Sequence, residues 1–121
     1  MNRTEFIESL KEVKIKEEIQ DQVKEVYGED IPELIIKILS AYVKPELFDE
    51  NESRTLSLRE VLNAEEDNGI PFKSKKIIPI ADRGDNDYIV YDIQAKTWAM
   101  YNIVDETLFD SKESFEELFL A

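Results

Sequence analysis

The sequence of 121 residues contains no cysteine and no histidine. Because cysteine is absent, the chain has no disulfides, no thiolate nucleophile and no zinc–thiolate site. Because histidine is absent, it has neither the imidazole base of a Ser–His or Cys–His pair nor an imidazole metal ligand. An enzyme built from this chain would have to work with carboxylates, lysine or tyrosine.

Long apolar runs are also missing, and residues 77–81 are typical of the short ones present. A membrane-spanning helix needs about 20 consecutive apolar residues, which no part of the chain provides. The N-terminal segment carries charges where a secretory signal has its apolar region. We therefore expect a cytoplasmic protein that does not engage a membrane.

Basic residues are outnumbered: 15 lysines and arginines stand against 28 aspartates and glutamates, which gives a net charge of −13. A surface this negative repels nucleic acid and attracts basic proteins, although it is also a common route to solubility. The length and the 42% hydrophobic content indicate one globular domain over residues 1–121. We expect a monomer or weak homodimer that binds a basic protein partner and needs no cofactor.

Apolar residues at helical spacing predict two helices in the N-terminal part of the chain. The first covers residues 4–27 and ends at Gly28, and a slip in its apolar positions leaves open whether it is one helix or two. The second has Asp30 as its N-cap and stops at Pro45.

The second half of the chain predicts three strands. Residues 77–81 are nearly all apolar, which indicates a strand with both faces covered, although Pro79 favours an edge or a bulge. Residues 87–94 and 97–104 alternate as strands do. The gaps between these runs have hairpin lengths, which favours an antiparallel meander, and residues 68–75 are predicted to be a turn.

Two short helices with capping boxes complete the prediction. One begins at Ser57, with Glu60 as its capping-box partner, and the other closes the chain with either Asp110 or Ser114 as its cap. Helices followed by a meander and a final helix define an α+β fold, with the N-terminal helices packed on the sheet.

The order of these segments resembles a known family. It runs from a helix with IPELIIKILSAY and a short helix with EVLNAEED to IIPIAD, GDNDYIVYDI, a TWAMYNI strand and DSKESFEELF. This order is similar to that of the SUKH superfamily, in its Smi/Knr branch, named after a yeast regulator of cell-wall glucan synthesis. The resemblance covers roughly residues 30–121.

The resemblance implies an α+β fold and, for bacterial members, an immunity protein that binds and blocks a toxin. Toxin partners in the wider family are often nucleases, which carry basic surfaces to hold phosphate. The charge of −13 fits such a partner independently of the resemblance.

The acidic stretch ADRGDND, residues 81–87, has three interpretations. Asp82, Asp85 and Asp87 could be oxygen ligands of a divalent cation, or two of them could act as acid and base. The spacing does not match an EF-hand loop, and Asp, Asn and Gly are the residues that turns prefer. We interpret the stretch as an exposed acidic turn that contacts a partner.

The predicted site is therefore a protein-binding surface, without catalytic or metal-ligating residues. Its members are exposed carboxylates in three groups, the third being expected at the opposite end of the hairpins from the second. They are Glu65, Glu66 and Asp67; Asp82, Asp85 and Asp87; and Asp105 and Glu106.

Two other functions stay open at this point. A small carboxylate-dependent hydrolase would need a concave pocket holding two carboxylates, at least one with a raised pKa. A regulatory scaffold in a signalling or cell-wall pathway is what the yeast relatives suggest.

Overall fold

The computed structural model describes residues 1–44 and 53–121, so the predicted stop at Pro45 and most of the loop 46–57 lie outside the described residues. The helices are α1 (Arg3–Ser9, continued by a 3₁₀ turn at Leu10–Glu12), α2 (Glu17–Tyr27), α3 (Glu33–Ser40), α4 (Leu58–Leu62), α5 (Ala64–Asn68), α6 (Phe72–Lys75) and α7 (Phe115–Phe119). The strands are β1 (Arg54–Thr55), β2 (Ile77–Gly84), β3 (Asp87–Asp92), β4 (Thr97–Asn102) and β5 (Thr107–Lys112).

The strands form one antiparallel sheet in the order β1 to β5, in which each strand pairs with the next along the chain. This is the predicted meander, extended by one strand at each side. The register of β2 against β3 shifts after Pro79, as expected for a proline that cannot donate to the ladder. The predicted α+β class is confirmed.

Alternation along the strands gives the sheet two buried faces. On the first face, Ile89 and Trp98 pack with the apolar sides of α1, α2, α3 and α7 to form the main core. On the second face, Val90 and Tyr101 pack under residues of α5 and α6, with the ring of Phe72 set edge-on against that of Tyr101. Residues 77–81 are buried because both faces are covered.

Local signals place most helix boundaries correctly. The N-terminal segment is two helices rather than one, and the second ends at Gly28, whose φ of 101° suits a glycine. Ser57 and Ser114 cap α4 and α7, each in a reciprocal capping box. Ser114, and not Asp110, is thus the start of the closing helix.

Two predictions about local structure are wrong, and one strand was missed. Asp30 does not cap α3: the cap is Pro32, because the residue before a proline is held extended and delays the helix. The predicted turn 68–75 contains α6, which follows the left-handed Gly69. The strand β5 was not predicted, because all six of its residues are exposed and show no amphipathic alternation.

Candidate protein-binding surface

The turns before β3 and after β4 lie side by side at one end of the sheet. Asp87 pairs with Asn102 in the register, and the Asn102 side-chain amide donates to the Asp87 carboxylate at 2.9 Å. The backbone N–H of Ile103 donates to the carbonyl of Asn86 at 3.0 Å. The expectation that these turns lie at opposite ends is wrong, since alternate turns of a meander return to the same end.

We call this end of the sheet the acidic end, defined by Asp85, Asp87, Asp105 and Glu106. Asp87 is half-buried, while the other three are exposed. The structure therefore brings Asp85 and Asp87 of the second predicted group together with the third group, Asp105 and Glu106.

In the β2–β3 turn, Asp82 and Asp85 have structural roles in the backbone of the turn. The Asp82 carboxylate accepts from the N–H of Gly84 at 2.9 Å and lies 3.9 Å from the guanidinium of Arg54. Asp85 and Asn86 have φ of 52° and 67°, which aspartate and asparagine tolerate better than most residues. Asp82 and Asp85 thus do what turn residues do, as the turn interpretation predicts.

The β3–β4 turn is held by hydrogen bonds from its backbone to one side chain. It reads DIQAKT, residues 92–97, and the Asp92 carboxylate accepts from the N–H groups of Gln94 and Ala95 at 3.1 and 3.0 Å. Lys96 closes it with φ of 58°. Its chemistry is one short side-chain acceptor followed by one left-handed residue.

The β4–β5 turn repeats this construction ten residues later. It reads NIVDET, residues 102–107, and the side-chain oxygen Oδ1 of Asn102 accepts from the N–H groups of Val104 and Asp105, both at 2.9 Å. Glu106 closes it with φ of 54°. The backbone therefore needs no carboxylate at Asp105 or Glu106, because Ala95 and Lys96 fill the same positions in the other turn.

The first predicted group, Glu65, Glu66 and Asp67, lies on α5, on the second face of the sheet. The Glu65 carboxylate accepts from the backbone N–H of Lys73, and so holds α6 in place. Glu66 and Asp67 are exposed, and Asp67 lines a cavity of about 100 Å³ with Glu60 and Tyr88. This group is not part of the acidic end.

A groove of about 260 Å³ opens beside the acidic end, on the first face of the sheet. Its lining includes the carboxylate-bearing Asp85, Asp87 and Asp110 and the apolar Met100, Phe109 and Leu118. Phe109 and Asp110 were not among the predicted site residues, because both belong to the unpredicted strand β5. The repeat of DIQAKT as NIVDET, with a strand after each, is the signal that would have placed them.

The carboxylates near the cavities limit what chemistry is available. Two hydrogen bonds from the Arg54 guanidinium, at 3.0 and 2.8 Å, hold the pKa of Glu60 below its usual value, and so favour the ionised form over the acid. Among the described residues no group of three or more acidic side chains is arranged to hold a metal ion. The groove does gather carboxylates in a concave site, so the hydrolase hypothesis stays a prediction for an activity assay.

Comparison with known proteins finds no family model, no curated protein and no solved structure that matches the chain. The resemblance to the SUKH superfamily therefore stays a prediction from the sequence. Within residues 1–44 and 53–121, no helix has the length and apolar character to cross a membrane.

Proposed function

We propose that this protein is a non-enzymatic binding protein that covers the basic surface of a protein partner, and that the partner is a nuclease-type toxin, as the SUKH resemblance implies. The observation that carries the proposal is the pair of equivalent turns. Asp105 and Glu106 add two negative charges that their turn does not require, next to the acidic turn at Asp85 and Asp87.

Such a surface acts in two ways. The net charge of −13 accelerates the approach of a basic partner, and its local concentration at the acidic end orients the encounter. A standard interface covers about 800 Å² on each partner, enough to occlude a phosphate-binding cleft. Neither step needs a reacting group on this chain.

The test exchanges the chemistry of one turn for that of the other. The variant Val104→Gln, Asp105→Ala, Glu106→Lys gives the β4–β5 turn the QAK of the β3–β4 turn. Co-expression with the protein encoded by the adjacent reading frame should show weaker rescue from toxicity. In a binding assay on the purified pair, the association rate should fall about tenfold or more at low salt.

The matched control is Asp21→Ala with Glu25→Lys, which changes the net charge equally on exposed positions of α2. It should retain rescue and change the association rate much less. Equal losses in both variants would show that only total charge matters. Full rescue by the turn exchange would contradict the electrostatic mechanism.

A further inference from the structure

The groove combines an apolar floor with a negatively charged rim. Its floor is apolar, with Met100 and Leu118 buried and the residue Phe109 exposed to 40%. Its rim carries the exposed carboxylates of Asp85 and Asp110. Arg83 also lines the groove, but the three carboxylates of the lining outnumber it and leave the groove negative. An apolar floor below a negative rim matches a side chain with a long hydrocarbon stem and a cationic head.

Phe109 is the residue of the floor that a bound side chain could cover, because Met100 and Leu118 are already buried. Phe109 and Leu108 are neighbours on β5 with similar exposure, 40% and 45%, but they point to opposite faces. Phe109 pairs with Met100 and enters the groove, whereas Leu108 pairs with Tyr101. A cation above an aromatic face gains from the ring quadrupole as well as from the carboxylates.

We propose that the groove receives one lysine or arginine side chain of the basic partner and anchors the complex. This inference rests on the proposed function and names the chemistry of its contact. The guanidinium of Arg83 is not the occupant, because it bonds the Ser53 hydroxyl at 2.7 Å and the Ala121 carbonyl at 3.1 Å. A second copy of this chain fits less well, because it would bring another charge of −13 to a negative rim.

The test uses short blocked peptides, acetyl-Gly-Lys-Gly-amide and its arginine counterpart, with acetyl-Gly-norleucine-Gly-amide as the uncharged control. Backbone amide resonances of the ¹⁵N-labelled protein are followed during titration. The charged peptides should shift the resonances of Gly84, Phe109 and Asp110 in a saturable way. The norleucine peptide should shift them at least about threefold less at the same concentration.

Two matched pairs of variants separate the groove from general attraction. Phe109→Ala should weaken peptide binding about threefold, and Leu108→Ala should leave it unchanged. Asp110→Asn should weaken it similarly, and Asp105→Asn, which removes the same charge outside the groove, should do so less. Asparagine suits position 110, where φ is 51°.

The outcomes that overturn the inference are clear. Charged peptides that shift the resonances of Glu66 and Asp67 as much as those of Phe109 would mean diffuse attraction without an anchor. Absence of saturable shifts at the groove would also overturn it, and a dimer seen by sedimentation with Phe109 protected would assign the groove to a second copy. If the peptides bind but no basic protein partner is captured, the groove assignment stands and the proposed function loses its support.

Discussion

The two hairpin turns at opposite ends of β4 have the same backbone arrangement but different exposed side chains. In each, an aspartate or asparagine accepts two backbone N–H groups and the fifth residue is left-handed. In each, the second residue also donates to a left-handed residue of the preceding loop, Ile93 to Lys76 and Ile103 to Asn86. The constant features are those that the fold requires.

The features that differ are those that the fold leaves free. One end of the sheet displays Lys76 and Lys96, and the other displays Asp85, Asp105 and Glu106. The DIQAKT turn has no net charge, because Lys96 offsets Asp92, whereas the NIVDET turn carries the two negative charges of Asp105 and Glu106. Asp92 is a carboxylate that holds the turn backbone, whereas the backbone does not use the carboxylates of Asp105 and Glu106, which can contact a partner.

The largest effect is expected from removing the acceptor of each turn. Asn102→Ala leaves two backbone N–H groups and the Asp87 carboxylate without this partner, whereas Asp92→Ala affects two N–H groups only. We expect losses of about 2 kcal/mol for the first and about 1 kcal/mol for the second. Urea unfolding at neutral pH measures both. Equal losses would show that the link between Asn102 and Asp87 adds nothing.

A smaller effect should follow from exchanging the two acceptors. Asn102→Asp keeps the acceptor oxygen of the turn. It removes the amide donor, which now lies 2.9 Å from the Asp87 carboxylate, and puts a second carboxylate in its place. We expect a loss of about 1.5 kcal/mol, reduced in acid, where a proton can be shared. Asp92→Asn should change the free energy of unfolding by less than about 0.5 kcal/mol. If both exchanges are neutral, the two ends are interchangeable.

The sequence predicts what depends on neighbours along the chain. The capping boxes at Ser57 and Ser114 and the buried alternation of β3 and β4 are local patterns, and the structure confirms them. β5 has no such pattern: it is exposed throughout, and its register against β4 shifts around Asp110, which is left-handed. Its place in the sheet comes from pairing with β4 and not from its own composition.

The carboxylates of the acidic end were predictable as a set of residues but not as an arrangement. Asp85, Asp105 and Glu106 can be read as exposed acidic residues between strands. Their meeting at one end depends on the return of alternate hairpins, and the groove depends on Phe109 of β5 approaching Leu118 of α7. Contacts between elements distant in sequence carry no local signal.

The carboxylate of Glu60 should make the free energy of unfolding depend on pH in the acid range. The pKa of Glu60 is lowered by the hydrogen bond from Arg54, so its contribution to stability is present above its usual value of 4.5 and is lost as the pH falls through the lower, folded-state value. Glu60→Gln should therefore be less stable than the wild type at pH 7, by up to about 1 kcal/mol. The difference should vanish well below pH 4.5. Asp105→Asn should leave stability at pH 7 unchanged, and a clear loss there would mean that the fold uses this carboxylate too.

The smallest effect comes from the left-handed residue that closes each turn. Lys96 and Glu106 have φ of 58° and 54°, a region that glycine enters without steric cost. Lys96→Gly and Glu106→Gly should each change the free energy of unfolding by less than about 1 kcal/mol, because the relief of strain is offset by the greater freedom of the unfolded chain. The ion pair of Glu106 with Lys75, at 3.8 Å and exposed, adds little to the difference. If the turns share one backbone requirement, thermal unfolding should give the two variants the same shift within about 0.5 kcal/mol. A larger loss at Glu106 would show that its side chain holds the acidic end together, and that its charge is not free for a partner.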